Sequence, residues 1–230
     1  DKEITLQSES RQVWSPKNFD GKTNGVVPLY LALNRSLNLA MVNLGVTLGL
    51  KEVQKQFELL TGRKPRNQFP SFLLGAEPMS PIEVSELYSN FASGGFNLKP
   101  KAVIGVLDSA GAPLSHHSIV LKQTINPVIS NTLNRSLELT MRRGTGRFSS
   151  FAKSGVAGKT GTTNDNRDSW FAGFDDNKLA VFWVGRDDNK STGLSGASGA
   201  LKLWDASFRR IGNSSLSIPT DETFVDCLLY

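Results

Sequence analysis

A lysine, two threonines and a glycine follow one another in the last third of the chain, as Lys159, Thr160, Gly161 and Thr162. Lysine offers a positive charge to a carboxylate. Alternate residues of a strand project to one face, so the hydroxyls of Thr160 and Thr162 would lie side by side. Gly161 has no side chain, so a ligand backbone can lie against the strand. The pattern predicts a carboxylate-binding strand with Lys159 as a catalytic candidate.

Ser36 and Asn38, two residues apart, form a second candidate catalytic group. A Ser-x-Asn triplet is a weak signal, because a chain of this composition contains about 1.7 of them by chance, against about 0.08 for Lys-Thr-Gly. The same side chains could instead cap the helix predicted from Leu39 onward. Both interpretations stay open on the residues alone.

Two further patterns give weaker hypotheses. Ser150 and Lys153 form the one Ser-x-x-Lys of the chain, a spacing that needs a helix to bring both side chains to one face. Only five residues separate Lys153 from Lys159, which leaves little room for a catalytic helix. Gly158-Lys159-Thr160 also resembles part of a phosphate-binding P-loop, but a poor helix start follows it.

Composition bounds the possible partners. The 230 residues carry 26 Lys and Arg against 21 Asp and Glu, a net charge of +5, with no block of like charge, so we expect no nucleic-acid partner. A single cysteine and two histidines predict neither a disulfide nor a structural zinc site, and we expect no cofactor. No apolar run is long enough to span a bilayer.

The apolar spacing and the turn residues predict an α+β chain. Short helices are expected between residues 28 and 60, with breaks at Gly45 and Gly49. Further predicted helices cover 80–93, 126–143 and 198–211, and predicted strands cover 103–108, 156–163, 169–174 and 179–185. The last two strands are expected to be antiparallel neighbours, and the last three to pack under the final helix.

Seven segments together resemble the transpeptidase domain of class A penicillin-binding proteins, in the order expected for that family. They are WSPKN (14–18), ALNRSLN (32–38), LLGA (73–76), SPIE (80–83), RGTG (143–146), AGKTGTTN (157–164) and WVGRD (183–187). The resemblance implies a serine β-lactamase/transpeptidase-like fold, with an antiparallel sheet packed against helices. We expect a partial transpeptidase domain over residues 1–211 and a C-terminal tail over 212–230.

The resemblance also implies a peptidoglycan D,D-transpeptidase that β-lactams acylate, at the periplasmic face of the bacterial inner membrane. In it Ser36 would relay protons and Asn38 would hold the substrate amide. Lys159, Thr160 and Thr162 would bind the terminal carboxylate, and the Thr162 N–H would form half of the oxyanion hole. The Ser-x-x-Lys nucleophile of the family would precede residue 1. The N-terminal part of the domain, which would carry the only membrane contact, is therefore expected to be missing and this chain alone to be inactive.

Two other functions stay open. One is a non-catalytic module that binds peptides ending in D-alanine, which the absence of a nucleophile motif would fit. The other is a serine β-lactamase, which shares the same motifs and would hydrolyse a β-lactam over many turnovers.

Overall fold

The computed structural model describes residues 1–7 and 13–219. In chain order its elements are β1 (Leu6–Gln7), β2 (Val13–Trp14), α1 (Leu29–Arg35), α2 (Asn38–Leu48), α3 (Leu50–Thr61), α4 (Pro81–Ala92), β3 (Phe96–Asn97), β4 (Gly105–Leu107), β5 (Pro113–His116), β6 (Lys122–Gln123), α5 (Pro127–Arg143), β7 (Ala157–Thr162), β8 (Ser169–Phe174), β9 (Leu179–Val184) and α6 (Ala200–Ile211). Single 3₁₀ turns lie at Pro70–Leu74 and Asn164–Asn166. The predicted α+β class is confirmed.

The three longest strands form one antiparallel sheet in the order β7-β8-β9. Lys159 pairs with Ala172 and Gly161 pairs with Trp170, so these four residues share one face of the sheet. The turn between β8 and β9 is closed by Asp175, whose Oδ1 accepts from the N–H groups of Asn177 and Lys178. The predicted strands and their antiparallel pairing are confirmed.

Helix α6 covers the face of the sheet opposite Lys159. Its apolar stripe places Leu201, Trp204 and Phe208 in the core against Phe171 of β8. Trp204 and Phe208 are fully buried and stack at 3.8 Å between ring centroids. Burial of such aromatic side chains contributes several kcal/mol, so this cluster anchors the sheet to the final helix.

Helices α4 and α5 cover part of the other face. Ser80 and Glu83 form a capping box at the start of α4, and Asn126 accepts from the N–H of Val128 at the start of α5. Side chains of both helices pack around Phe174, at the end of β8 beside the turn. The rest of this face, from Lys159 to Trp183, borders a cleft.

The helical region between residues 28 and 60 breaks at different places from those predicted. Gly49 separates α2 from α3 as expected, but Gly45 lies inside α2. The first break falls at Ser36, which is left-handed with φ 55°. Gly45 serves packing instead, because a Cβ there would overlap the side chain of Leu73.

Two other segments differ in detail from expectation. The strand predicted over 103–108 shortens to β4 and pairs with β5 in a hairpin whose second strand the pattern did not predict. Residues 212–219 form no helix or strand, and backbone and side-chain hydrogen bonds tie them to Gly155 and Asp175. The remaining residues of the predicted tail, 220–230, lie outside the described residues. In the part of the chain that is described, no helix has both the length and the apolar character needed to cross a bilayer.

Candidate active site

The two candidate motifs meet in one hydrogen bond. Lys159 Nζ on β7 donates to Ser36 Oγ at the end of α1, at 2.8 Å, although 123 residues separate them in sequence. The same ammonium donates to the carbonyl of Thr160 at 3.0 Å. Within the described residues no carboxylate pairs with Lys159, so its positive charge is available to an anionic ligand.

Burial sets the protonation of this lysine. Removal from water penalises the charged form and lowers the pKa of Lys159 from 10.5 to about 8, although part of the side chain still borders the cleft. An ammonium in this range is mostly charged at neutral pH and can lose its proton at small cost. It can therefore both bind a carboxylate and exchange a proton with the Ser36 hydroxyl.

Strand β7 is an edge strand whose two threonines project to the face opposite Lys159. Thr160 Oγ1 lies 2.6 Å from Thr145 Oγ1, and Thr162 Oγ1 accepts from the N–H of Gly196 at 2.9 Å. Gly161 lies between them, and a Cβ at this position would be 3.1 Å from the Trp170 side chain. The two threonines therefore lie on the same side of the strand, and Gly161 between them adds no side chain to it.

Ser36 is held in a strained conformation. It is one of four residues other than glycine with positive φ in the described part of the chain. Its N–H donates to Leu33 O and that of Leu37 to Ala32 O, which closes the end of α1. A left-handed serine costs about 1 kcal/mol and persists where the surroundings enforce it, as is common in functional sites.

The alternative interpretation of Ser36 and Asn38 as helix caps is wrong. Neither side chain caps α2, whose N-cap is Leu37. The free N–H groups there donate to Asn18 Oδ1, from Leu39, and to Asp1 Oδ1, from Ala40. Asn38 instead donates through Nδ2 to the carbonyl of Lys17 and lines the cleft.

Two neighbouring parts of a cleft border β7. On the Lys159 side it has a volume of about 680 Å³, with Trp170, Ala172 and Trp183 on the sheet and Tyr88 of α4 opposite. On the Asn38 side a second part of about 710 Å³ extends between residues 14–19 and 162–166. Residues 74–76 border both parts.

The structure contradicts the two weaker hypotheses, a Ser150–Lys153 nucleophile and a P-loop. Ser150 and Lys153 lie in turns rather than on a helix, and the Ser150 hydroxyl donates to Asp205 of α6. Gly158, Lys159 and Thr160 lie within a strand that a turn follows, whereas a P-loop needs a helix after its lysine.

Comparison with known families agrees with this geometry. The model of the penicillin-binding protein transpeptidase domain matches residues 1–203. The chain belongs to the penicillin-binding protein transpeptidase family. Penicillin-binding protein 1B of Vibrio cholerae is 38% identical over 207 residues and that of Escherichia coli is 35% identical over 231 residues. The predicted resemblance to class A members, and to penicillin-binding protein 1b among them, is confirmed.

Solved structures of penicillin-binding proteins share the fold. Penicillin-binding protein 1A of Haemophilus influenzae superposes with a TM-score of 0.84 at 24% identity, covering 95% of this chain and 40% of that one. PonA1 of Mycobacterium tuberculosis in complex with penicillin V superposes with a TM-score of 0.76 at 19% identity, covering 94% of this chain and 64% of that one. The predicted serine β-lactamase/transpeptidase-like fold is thereby confirmed.

The chain matches only part of its relatives. It aligns over 89% of its own length with 27% of the Vibrio protein, and over 98% with 27% of the Escherichia protein. The chain thus spans about a quarter of the curated relatives that it matches.

The structure adds residues that the motifs did not assign to the site. Asp168 accepts from Trp183 Nε1 at 2.9 Å and from Thr163 Oγ1 at 3.0 Å, which fixes the turn after β7. Thr145 contacts Thr160 from the loop after α5. Trp183 and Thr145 each lie in a segment that carried the family resemblance, which was the one signal available for them.

Proposed function

We propose that this chain is the part of a peptidoglycan D,D-transpeptidase that binds the D-alanyl-D-alanine end of a stem peptide, with β-lactams as competing acylating ligands. The Lys159–Ser36 hydrogen bond is the main observation in support of the proposal. It joins two motifs that are far apart in sequence, beside the edge strand β7. The whole protein would be a bifunctional class A enzyme at the periplasmic face of the inner membrane, attached to it through a region outside these residues.

In the proposed reaction a serine attacks the carbonyl carbon of the penultimate D-alanine, and the C–N bond to the last residue breaks. Lys159 and the hydroxyls of Thr160 and Thr162 hold the terminal carboxylate, and Gly161 leaves room for the peptide backbone. The Thr162 N–H donates to the oxyanion. Ser36 passes the proton to the leaving amine, and Asn38 orients the substrate amide. An amine of a second stem peptide then takes the acyl group.

We further propose that the attacking serine comes from a segment outside the 230 residues, in a Ser-x-x-Lys that precedes residue 1. The Lys159 side of the cleft supports this, because its volume of about 680 Å³ and its largely apolar wall would accept one face of a helix. The ammonium of Lys159, which has no carboxylate partner among the described residues, would then lie beside the nucleophile.

Incubation with benzylpenicillin followed by intact-mass measurement tests the proposal. The 230-residue chain should gain no adduct, and the protein extended at its N-terminus through the Ser-x-x-Lys should gain one penicilloyl group. An adduct on any serine of residues 1–230 would contradict the assignment of the nucleophile. An extended protein that folds and stays unmodified would contradict the enzyme function and favour a non-catalytic binding module. Hydrolysis of nitrocefin over many rapid turnovers would instead identify a β-lactamase.

The lowered pKa of Lys159 predicts the pH dependence of ligand binding. Because the folded pKa is about 8, the ammonium is charged below this pH and loses its charge above it. Binding of N-acetyl-D-alanyl-D-alanine should therefore weaken about tenfold between about pH 7 and pH 9. Titration followed by NMR measures this, and the C-terminal amide of the same peptide is the control. Equal affinity at both pH values would contradict a role for Lys159 in binding the carboxylate.

A further inference from the structure

The loop after α5 links the two halves of the site. The N–H of Thr145 donates to the carbonyl of Asn34 on α1 at 3.1 Å, two residues before Ser36. The hydroxyl of Thr145 contacts that of Thr160 on β7 at 2.6 Å. One residue thus connects the end of the serine-bearing helix to the strand that carries Lys159.

The glycines on both sides make this position possible. A Cβ at Gly144 would overlap the Asn34 carbonyl oxygen, and one at Gly146 would lie 2.5 Å from the Met141 sulfur. The loop can therefore approach α1 and α5 only without side chains at these positions. Thr145 lies between the two glycines, and its side chain is directed at Thr160 of the candidate site.

A threonine of β7 can donate a hydrogen bond to an anionic ligand only if its hydroxyl proton is not already bonded within the protein. Thr162 Oγ1 already accepts from the N–H of Gly196, so its own proton stays free to donate to an anion. Thr160 is 9% exposed, and its hydroxyl has no partner among the described residues other than Thr145. If Thr145 is the donor of this pair, Thr160 has the same arrangement as Thr162.

We propose that Thr145 is a positioning residue for carboxylate recognition: its hydroxyl donates to Thr160 Oγ1 and so directs the Thr160 proton towards the terminal carboxylate of the ligand. The proposal rests on the proposed function, since it assigns the ligand to the same strand. Thr145 itself need not contact the ligand, because it acts by fixing which way a buried hydroxyl points.

The Thr145→Val variant tests this, because it keeps the branched shape and removes the hydroxyl. We compare the affinities of N-acetyl-D-alanyl-D-alanine and its C-terminal amide, by NMR titration of the 230-residue chain. Thr145→Val should lower the preference for the carboxylate about tenfold, near the lower end of the effect of one hydrogen bond to a charged group. Thr145→Ser, which keeps the hydroxyl, should restore the preference.

The controls separate this role from a structural one. Thr47→Val, at an exposed position of α2, should leave the preference unchanged, and a general loss of structure in Thr145→Val would weaken both ligands alike. If the wild-type chain does not distinguish the two ligands, the proposed function fails and the inference with it. If the wild type does and Thr145→Val keeps the full preference, the inference alone is overturned. If Thr145→Val does not fold, the ratio of the affinities for the peptide and its C-terminal amide is measured for Thr145→Ala instead, with the same two outcomes.

Discussion

Replacement of Lys159 by methionine is expected to abolish measurable carboxylate binding and, at neutral pH, to make the protein more stable. Loss of the ammonium removes the positive charge that would bind the carboxylate, together with its hydrogen bond to Ser36. Truncation of one partner of a desolvated charge pair costs about 2–5 kcal/mol, so the affinity for N-acetyl-D-alanyl-D-alanine should fall about a hundredfold. Methionine fills a similar volume without a charge to desolvate.

The gain in stability follows from the sign of the pKa shift. Folding lowers the pKa of Lys159 from 10.5 to about 8, so the unfolded chain binds more protons between these values. The free energy of unfolding of the wild type should therefore rise with pH across this interval. Burial of the charged ammonium destabilises the fold by its full amount only below this interval. The ammonium borders the cleft and keeps some hydration, so we expect Lys159→Met to gain about 1–2 kcal/mol at neutral pH.

Urea unfolding of both proteins across this pH range measures the effect. The advantage of the methionine variant should be largest at pH 7 and should shrink as the pH rises through 8 towards 10.5. Lys153→Met is the matched control, because Lys153 is exposed six residues earlier and should change neither stability nor binding. A Lys159→Met protein that still binds the peptide with wild-type affinity would remove Lys159 from the site.

Local chemistry explains which elements could be predicted from the sequence. The capping box of α4, the asparagine before Pro127 and the Asp-Asp-Asn-Lys turn each fix their element through neighbours in sequence. The candidate residues of β7 were found for the same reason, since alternation along a strand is a local property. Family resemblance supplied the connection of Ser36 to this strand, which no spacing in the chain reveals.

The features that were missed depend on contacts distant in sequence. Gly45 looked like a helix break, but its role is to admit Leu73 from the next segment. The caps of α2 come from Asn18 and Asp1, more than 20 residues earlier, so Ser36 and Asn38 looked like the better candidates. Local propensity cannot anticipate such partners, because tertiary contacts decide which of several polar side chains reaches a free N–H.

Replacement of Gly144 by alanine is expected to cause the largest loss of stability among these variants. A Cβ there would overlap the carbonyl oxygen of Asn34 and lie 2.9 Å from the Cα of Thr140. Both neighbours are backbone atoms of packed helices and cannot rotate away, so α1 or α5 must shift. Overpacking of this kind typically costs about 1–3 kcal/mol, and with the loss of the Thr145–Asn34 hydrogen bond we expect about 3 kcal/mol.

Urea unfolding of Gly144→Ala measures this cost, and Gly193→Ala is its control. Gly193 has open space around its Cα but a φ of 68°, so alanine there meets only backbone strain of about 1 kcal/mol. A shift of α1 would also carry Ser36 away from Lys159, so Gly144→Ala should lose peptide binding under conditions in which it is still folded. Equal stability of the two variants would mean that the loop after α5 changes its conformation and α1 does not move. In that case the distance between Ser36 and Lys159 would be set by the sheet and α5 alone.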